Sequence, residues 1–214
     1  MVVYLQNKLF WENIKNGNIS EYEELEKFIY TQAAIEAYHN LDFPFDGEEY
    51  NTNLHKFYYE VEEYEDEDSY EEIFFQGYID GDISKEVYFE KEKKFLDFMN
   101  YLYDEENTYA CYYLDIKLTD NAVYHECTDI SFDVEKIIEG NQNDFTKVTD
   151  RQFFTDLCYL TGREINSVIF IFTDIKAVLL NSGLHGIILF DGDVNNELIK
   201  NLSDLINLED LRKV

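Results

Sequence analysis

The sequence predicts an α+β fold in which antiparallel hairpins pack with several amphipathic helices in two lobes. Hydrophobic residues make up 45% of the 214 residues and aromatic residues 17%, which is enough to form a hydrophobic core. Segments whose apolar residues recur every three or four positions alternate with segments of period two. Short polar turns separate neighbouring strand-like segments, which favours antiparallel pairing. We expect the lobes, residues 1–140 and 145–214, to form one compact domain.

Two helices are predicted near the N-terminus. The first covers Val2–Lys15 and ends at Asn16-Gly17, a pair typical of a helix C-terminus. Ser20 begins a capping box, so a second helix is predicted from there to about His39. Residues 40–52, which include the only proline, are predicted to form a loop.

A hairpin with one acidic face is predicted to follow this loop. Phe57, Tyr59 and Val61 alternate with more polar residues, which is the pattern of a half-exposed strand. The apolar run 73–79 is predicted to be the partner strand, joined to the first through the acidic connection 65–69. The hairpin would carry carboxylates along its exposed face.

A third helix and a second hairpin come next. Ser84 is a suitable N-cap for a helix that runs to about Tyr103, with its apolar side chains on one side. Residues 110–118 alternate between apolar and polar side chains. A turn at 119–121 then leads into a second candidate strand, 122–132.

The C-terminal lobe begins after a short polar seam at 140–144. One helix is predicted from about Asp150 to Leu160, and a final helix from Asn195 to about Leu211. Between these helices, three nearly unbroken apolar runs have the composition of central strands: residues 167–172, 175–180 and 186–190.

The net charge is the feature that says most about function. The 46 acidic residues outnumber the 17 basic ones, which gives a net charge of −29, and most of the excess lies in residues 1–110. Such a field repels nucleic acid, phosphorylated substrates and anionic membranes, and it attracts basic proteins. The high aromatic content excludes a disordered acidic chain. We therefore expect a folded protein that binds a basic protein partner, and neither nucleic acid nor a membrane.

The acids are densest between residues 42 and 72, where 13 acids accompany a single base, Lys56. Acids two apart on a strand project from one face about 6.6 Å apart, which resembles the separation of phosphates along a nucleic-acid backbone. A row of such carboxylates can imitate a phosphate path. The alternative is that the run is only a solvated surface. The predicted partner-binding residues are Glu60, Glu62, Glu63, Glu65, Asp66, Glu67, Asp68, Glu71 and Glu72.

Motifs for catalysis or cofactor binding are missing from the sequence. It contains no HExxH, no GxSxG, no phosphate-binding glycine loop and no dinucleotide fingerprint. The turns at Asp80 and Asp191 start like calcium loops, but neither has the glycine and glutamate that such loops need at their sixth and twelfth positions. We expect no enzyme activity, no cofactor and no resident metal.

The three cysteines, Cys111, Cys127 and Cys158, have neither CxxC nor zinc-finger spacing. They are predicted to be reduced thiols, as in cytoplasmic proteins. No secretory leader and no apolar run of membrane-spanning length is recognised. These features predict a cytoplasmic protein of a bacterium or of a phage-infected host cell.

In charge and size, though not in any alignable motif, the chain resembles the acidic inhibitors that occupy nucleic-acid channels, such as phage anti-restriction and anti-CRISPR proteins. This resemblance implies a non-enzymatic inhibitor that mimics nucleic acid and blocks the basic groove of a nucleic-acid-processing enzyme, for example a CRISPR effector or a nuclease. One alternative is an immunity protein that plugs the active site of a bacterial toxin. Another is a small hydrolase or a structural domain whose acidity only confers solubility.

Overall fold

A computed structural model describes residues 2–17, 22–29, 54–61, 75–112 and 145–211. The helices are α1 (Val2–Lys15), α2 (Tyr22–Ile29), α3 (Phe75–Asp80), α4 (Lys85–Leu102), α5 (Arg151–Gly162) and α6 (Asn196–Ser203). The strands are β1 (Leu54–Glu60), β2 (Thr108–Tyr112), β3 (Thr146–Lys147), β4 (Val168–Phe172), β5 (Ala177–Ser182), β6 (His185–Asp191) and β7 (Asn207–Asp210). Each helix in these ranges is too short or too polar to cross a bilayer.

The seven described strands form one antiparallel sheet in the order β3-β2-β4-β5-β6-β1-β7, so the predicted α+β class is confirmed. The three predicted central strands are confirmed as β4, β5 and β6, which are consecutive in the chain and adjacent in the sheet. β1 inserts between β6 and β7, with Tyr58 opposite Ile187 on one side and Glu209 on the other. Strands from both sides of the predicted seam therefore share this sheet.

Helices cover both faces of the sheet. Helices α3 to α6 pack on one face, where Phe98, Phe154 and Phe170 are fully buried. Helices α1 and α2 pack on the other face, where the rings of Phe10 and Phe28 stack with centroids 4.1 Å apart. Each buried apolar side chain contributes about 1.5–3 kcal/mol by leaving water. The two clusters therefore offset the repulsion among the surface acids.

Three helices begin next to the residues at which the sequence predicts a helix start: Ser84, Asp150 and Asn195. Ser84 caps α4 through its hydroxyl. The Asp150 carboxylate accepts a hydrogen bond from the Phe153 N–H at 2.8 Å, and the Asn195 side chain accepts one from the Glu197 N–H at 2.9 Å. Each bond satisfies an N–H that has no partner within the helix, so the predicted starts of α4, α5 and α6 have a local cause.

The predicted strand at 73–79 is wrong, because Phe75–Asp80 form helix α3. Phe75, Tyr78 and Ile79 recur at helical spacing and pack on the core beside α4. The predicted hairpin partner of β1 is replaced by two strands that are distant in sequence, β6 and β7.

The final helix ends earlier than predicted. Helix α6 stops at Ser203, and the Asp204 N–H still donates to the carbonyls of Lys200 and Leu202. Leu208 belongs to β7, opposite Tyr59, and reaches the same core from the sheet. Pairing with β1 satisfies backbone groups on both strands, which outweighs the local helical pattern.

Other predictions fall outside the described residues. These are the second helix beyond Ile29, the loop 40–52, the second hairpin from residue 113 onward and the seam at 140–144. The described start of that hairpin is β2, which pairs with β3 and β4.

Candidate functional site

Glu60 is the member of the predicted partner-binding set that the structure describes. It is half-buried at the end of β1, opposite His185 of β6 and Asn207 of β7. The other members lie outside the described residues: Glu62, Glu63, Glu65, Asp66, Glu67, Asp68, Glu71 and Glu72. Glu60 is the last residue of β1, so the first member of the predicted set lies at this end of the sheet.

Several exposed lysines of the described surface lie beside carboxylates. Lys93 Nζ is 2.5 Å from Asp97 Oδ2, and Lys147 Nζ is 3.0 Å from Glu106 Oε2. The same arrangement recurs in three more pairs: Lys8–Glu12, Lys27–Glu24 and Lys94–Glu90. Exposed pairs of this kind add about 1 kcal/mol or less to stability. Each pair is neutral as a unit, so these lysines do not create a positive patch. The field of the surface is set by the remaining acids and stays negative.

A cleft of about 620 Å³ opens at the other end of β6 from Glu60. Its walls come from the C-terminal part of α4, the β4–β5 turn and the segment that joins β6 to α6. His185 and Asp191, at the two ends of β6, are six residue steps apart, a distance of about 20 Å. Four carboxylates and one lysine are among the described lining residues: Asp174, Asp191, Asp193, Glu197 and Lys176.

Two tight turns bring these carboxylates together. Lys176 has a φ of 49° in the β4–β5 turn, and its carbonyl accepts a hydrogen bond from the Asp191 N–H at 3.0 Å. Gly192 has a φ of 85°, which glycine adopts without strain, and the chain turns there from β6 toward α6. The two turns therefore lie side by side at one end of the central strands.

Asp191 connects the cleft to the helices on the opposite face. Its Oδ2 accepts a hydrogen bond from Trp11 Nε1 at 2.7 Å. The indole is only 4% exposed and packs edge-on against Phe10 and Phe28. Trp11 is the only tryptophan of the chain, so its fluorescence reports on the surroundings of a cleft carboxylate.

An exposed aromatic ring forms part of the cleft wall. Tyr101 is 46% exposed, and its hydroxyl accepts a hydrogen bond from Asn201 Nδ2 at 2.8 Å. This bond joins the end of α4 to α6. Phe190 and Leu198 add apolar surface to the lining. The cleft thus combines negative charge with an accessible aromatic face, and cations bind to both.

The described lining residues do not form a metal site. Within the described residues, no three His, Cys, Asp or Glu side chains are grouped closely enough to hold a metal. Calcium takes about six to eight oxygen ligands around one point. A lysine or arginine side chain instead distributes its donors and apolar stem along several ångströms. Such a side chain does not need ligands grouped around one point.

Cys158, one of two buried thiols in the described core, is in surroundings that make it a poor nucleophile. Burial is the main cause that raises the pKa of Cys158 well above its ordinary value, and the nearby Asp156 carboxylate raises it further. The thiolate is the reactive form of cysteine. Cys158 therefore stays protonated at neutral pH and acts as a packing residue.

Sequence reasoning missed this cleft. The only local signal is the Asp-Gly-Asp turn at 191–193, which has the start of a calcium loop without its later ligands. Asp174 comes from an earlier turn and Tyr101 from α4, so the pairing of β5 with β6 and the packing of α6 are needed to unite them. Comparison with protein-family models, curated proteins and solved structures gave no match.

Proposed function

We propose that the protein is a non-enzymatic inhibitor that mimics nucleic acid and occupies the basic nucleic-acid-binding groove of a partner, such as a CRISPR effector or a nuclease. The observation that carries the proposal is a net charge of −29 on a chain with a well-packed core. Acidic groups on a folded surface are already ordered before a partner binds. A flexible acidic tail would lose conformational entropy on binding, which would weaken the complex.

The elements on either side of residues 62–72, which hold most of the predicted partner-binding acids, support this proposal. β1 precedes the acids of residues 62–72 and is anchored by Tyr59, which is fully buried and pairs with Asn181. α3 follows it and is anchored by Phe75, whose ring lies 5.2 Å from the guanidinium carbon of Arg163. The acids of residues 62–72 thus join two elements that pack on the same core. We infer that a partner meets them as one concentrated source of negative charge.

Affinity capture followed by displacement tests the proposal. Tagged protein is incubated at low salt with nuclease-treated lysate of cells that express candidate effectors, nucleases or toxins, and bound proteins are identified. We expect a basic nucleic-acid-processing enzyme that elutes as salt rises, because screening weakens charge attraction. In a gel-shift assay, the inhibitor should then release DNA or RNA from that enzyme at about one equivalent.

Two outcomes would contradict the proposed function. A captured enzyme that keeps its nucleic acid while the protein is bound would show that the basic groove is not the target. Capture of a toxin whose active site does not bind nucleic acid would favour the immunity-protein alternative. The control bait is an unrelated protein of similar net charge. Lysate proteins that both baits retain equally are counted as background.

A further inference from the structure

We propose that the cleft between α4, the β4–β5 turn and α6 is a docking site for an arginine side chain of the basic partner. This inference rests on the proposed function, because it names the group by which the partner engages the described part of the surface. The cleft has room for an extended side chain, at about 620 Å³, and carries four carboxylates against one lysine.

Arginine fits the lining better than lysine does. The guanidinium group is planar, has five N–H donors and stacks on aromatic faces, whereas the ammonium group of lysine is a compact and strongly hydrated point charge. Tyr101 supplies an exposed ring, held by its hydrogen bond to Asn201. Asp193 and Glu197 supply carboxylates to the lining of the same cleft. Stacking and charge-assisted hydrogen bonds are therefore both offered to one guanidinium.

Other ligand classes match the lining less well. Anionic ligands are repelled by the excess of carboxylates. A metal ion would need three or more ligands at one point, and the described residues contain no such group. A purely apolar ligand would leave charged groups at the cleft without water or a partner. Charge complementarity to a basic partner thus selects a cationic side chain.

Trp11 makes occupancy of the cleft measurable. Its indole N–H donates to Asp191, which lines the cleft, so a cation bound there changes the electric field at the ring. The test is a fluorescence titration of the full-length protein with a hexa-arginine peptide and, separately, with a hexa-lysine peptide of equal charge. We expect hexa-arginine to shift the Trp11 emission and to bind at least fivefold more tightly than hexa-lysine.

Substitutions in the cleft distinguish binding at the cleft from attraction by the overall negative charge of the protein. Asp193→Asn with Glu197→Gln should weaken hexa-arginine binding at least tenfold, and Tyr101→Ala should abolish the preference for arginine. The matched control is Glu86→Gln with Glu90→Gln, which removes the same charge on α4. Glu90 is eleven residues from Tyr101, about 16 Å along the helix. Binding by this control should change less than twofold, and circular dichroism shows whether each variant keeps its fold.

Equal affinity for the two peptides, or equal weakening by the two pairs of substitutions, would overturn the docking site, because net charge alone would then explain binding. The proposed function is tested by a separate measurement, the release of nucleic acid from the captured enzyme. Release without arginine binding at the cleft overturns only the docking site. Arginine binding at the cleft without release overturns only the proposed function.

Discussion

Arg163 and Glu92 form a buried ion pair that joins α5 to α4. Arg163 Nε lies 2.5 Å from Glu92 Oε1 and Nη2 lies 2.9 Å from Oε2, with the two side chains 2% and 5% exposed. The rings of Phe75, Phe89 and Tyr159 surround the guanidinium carbon at 5.0–5.4 Å. Two parallel hydrogen bonds and the rings together replace the water that both charges give up on folding.

Removing one partner of this pair should be far more damaging than removing both. Arg163→Met leaves the Glu92 carboxylate buried and without its guanidinium, so the free energy of unfolding should fall by about 3–5 kcal/mol. The double variant Arg163→Met with Glu92→Leu should recover most of this loss. Urea denaturation followed by circular dichroism measures both. A double variant as unstable as the single one would show that the pair itself stabilises the protein.

Buried tyrosine and cysteine side chains predict a loss of stability at alkaline pH. Burial raises the pKa of Tyr59 and of Cys158 well above their ordinary values of 10.0 and 9.0. Above pH 9 the unfolded chain therefore loses protons that the folded chain keeps, so stability is full below that pH and falls as pH rises. Cys158→Ala should shift the onset upward, toward the ordinary tyrosine pKa. Thermal melts from pH 7 to pH 11 test this, and an unchanged onset would exclude Cys158 as a cause.

At the scale of elements, the pairing of β6 with β5 and β1 depends on Gly186. A methyl group there would lie 2.7 Å from the Tyr59 hydroxyl and press on the backbone of β5. Gly186→Ala should therefore cost about 1–3 kcal/mol through overpacking. The control is Gly77→Ala in α3, where the close atoms belong to the flexible end of Ile83 and alanine favours the helix. Equal melting temperatures for the two variants would contradict this view of β6.

Elements with a strong local signal could be predicted from the sequence. The cap at Ser84, the helix start near Asp150 and the apolar runs of β4, β5 and β6 are local features, and their predicted positions match the structure. The predicted strand at 73–79 failed because a short apolar run fits a strand and a helix equally well. The spacing of Phe75, Tyr78 and Ile79 was the helical signal that the prediction missed.

Contacts between distant segments could not be predicted in the same way. Leu198, Leu202, Leu205 and Leu208 share one helical stripe, yet only the first two lie in α6. The edge of β1 recruits Asn207–Asp210 as β7, and a sequence does not reveal which edge is left unpaired. The cleft depends on the same long-range pairing. The sequence therefore shows which acids are present but does not predict that these four line one cleft.

For the molecule as a whole, the stabilisation from apolar burial in the core must exceed the repulsion among the surface acids. Screening relieves repulsion among surface acids, while it leaves apolar burial almost unchanged. The melting temperature should therefore rise between low salt and about 0.15 M, where the Debye length is about 8 Å. Differential scanning calorimetry in sodium chloride measures it. A flat or falling curve would show that the charges are compensated within the fold.

The central claim is that a localised set of acids, and not net charge alone, binds the partner. Residues 65–68 are four consecutive acids of the predicted partner-binding set. Reversing all four to lysine should slow association with the captured enzyme and weaken binding, because charges at an interface rim act mainly on the association rate. The matched control reverses four acids elsewhere: Glu86, Glu90, Asp204 and Glu209.

The decisive measurement is the association rate of both variants with the captured enzyme, by stopped flow at two salt concentrations. The account predicts at least tenfold slower association for the 65–68 variant at low salt, less than threefold for the control, and a smaller gap at high salt because of screening. Equal slowing of the two variants would contradict a localised mimic and leave only a diffuse field.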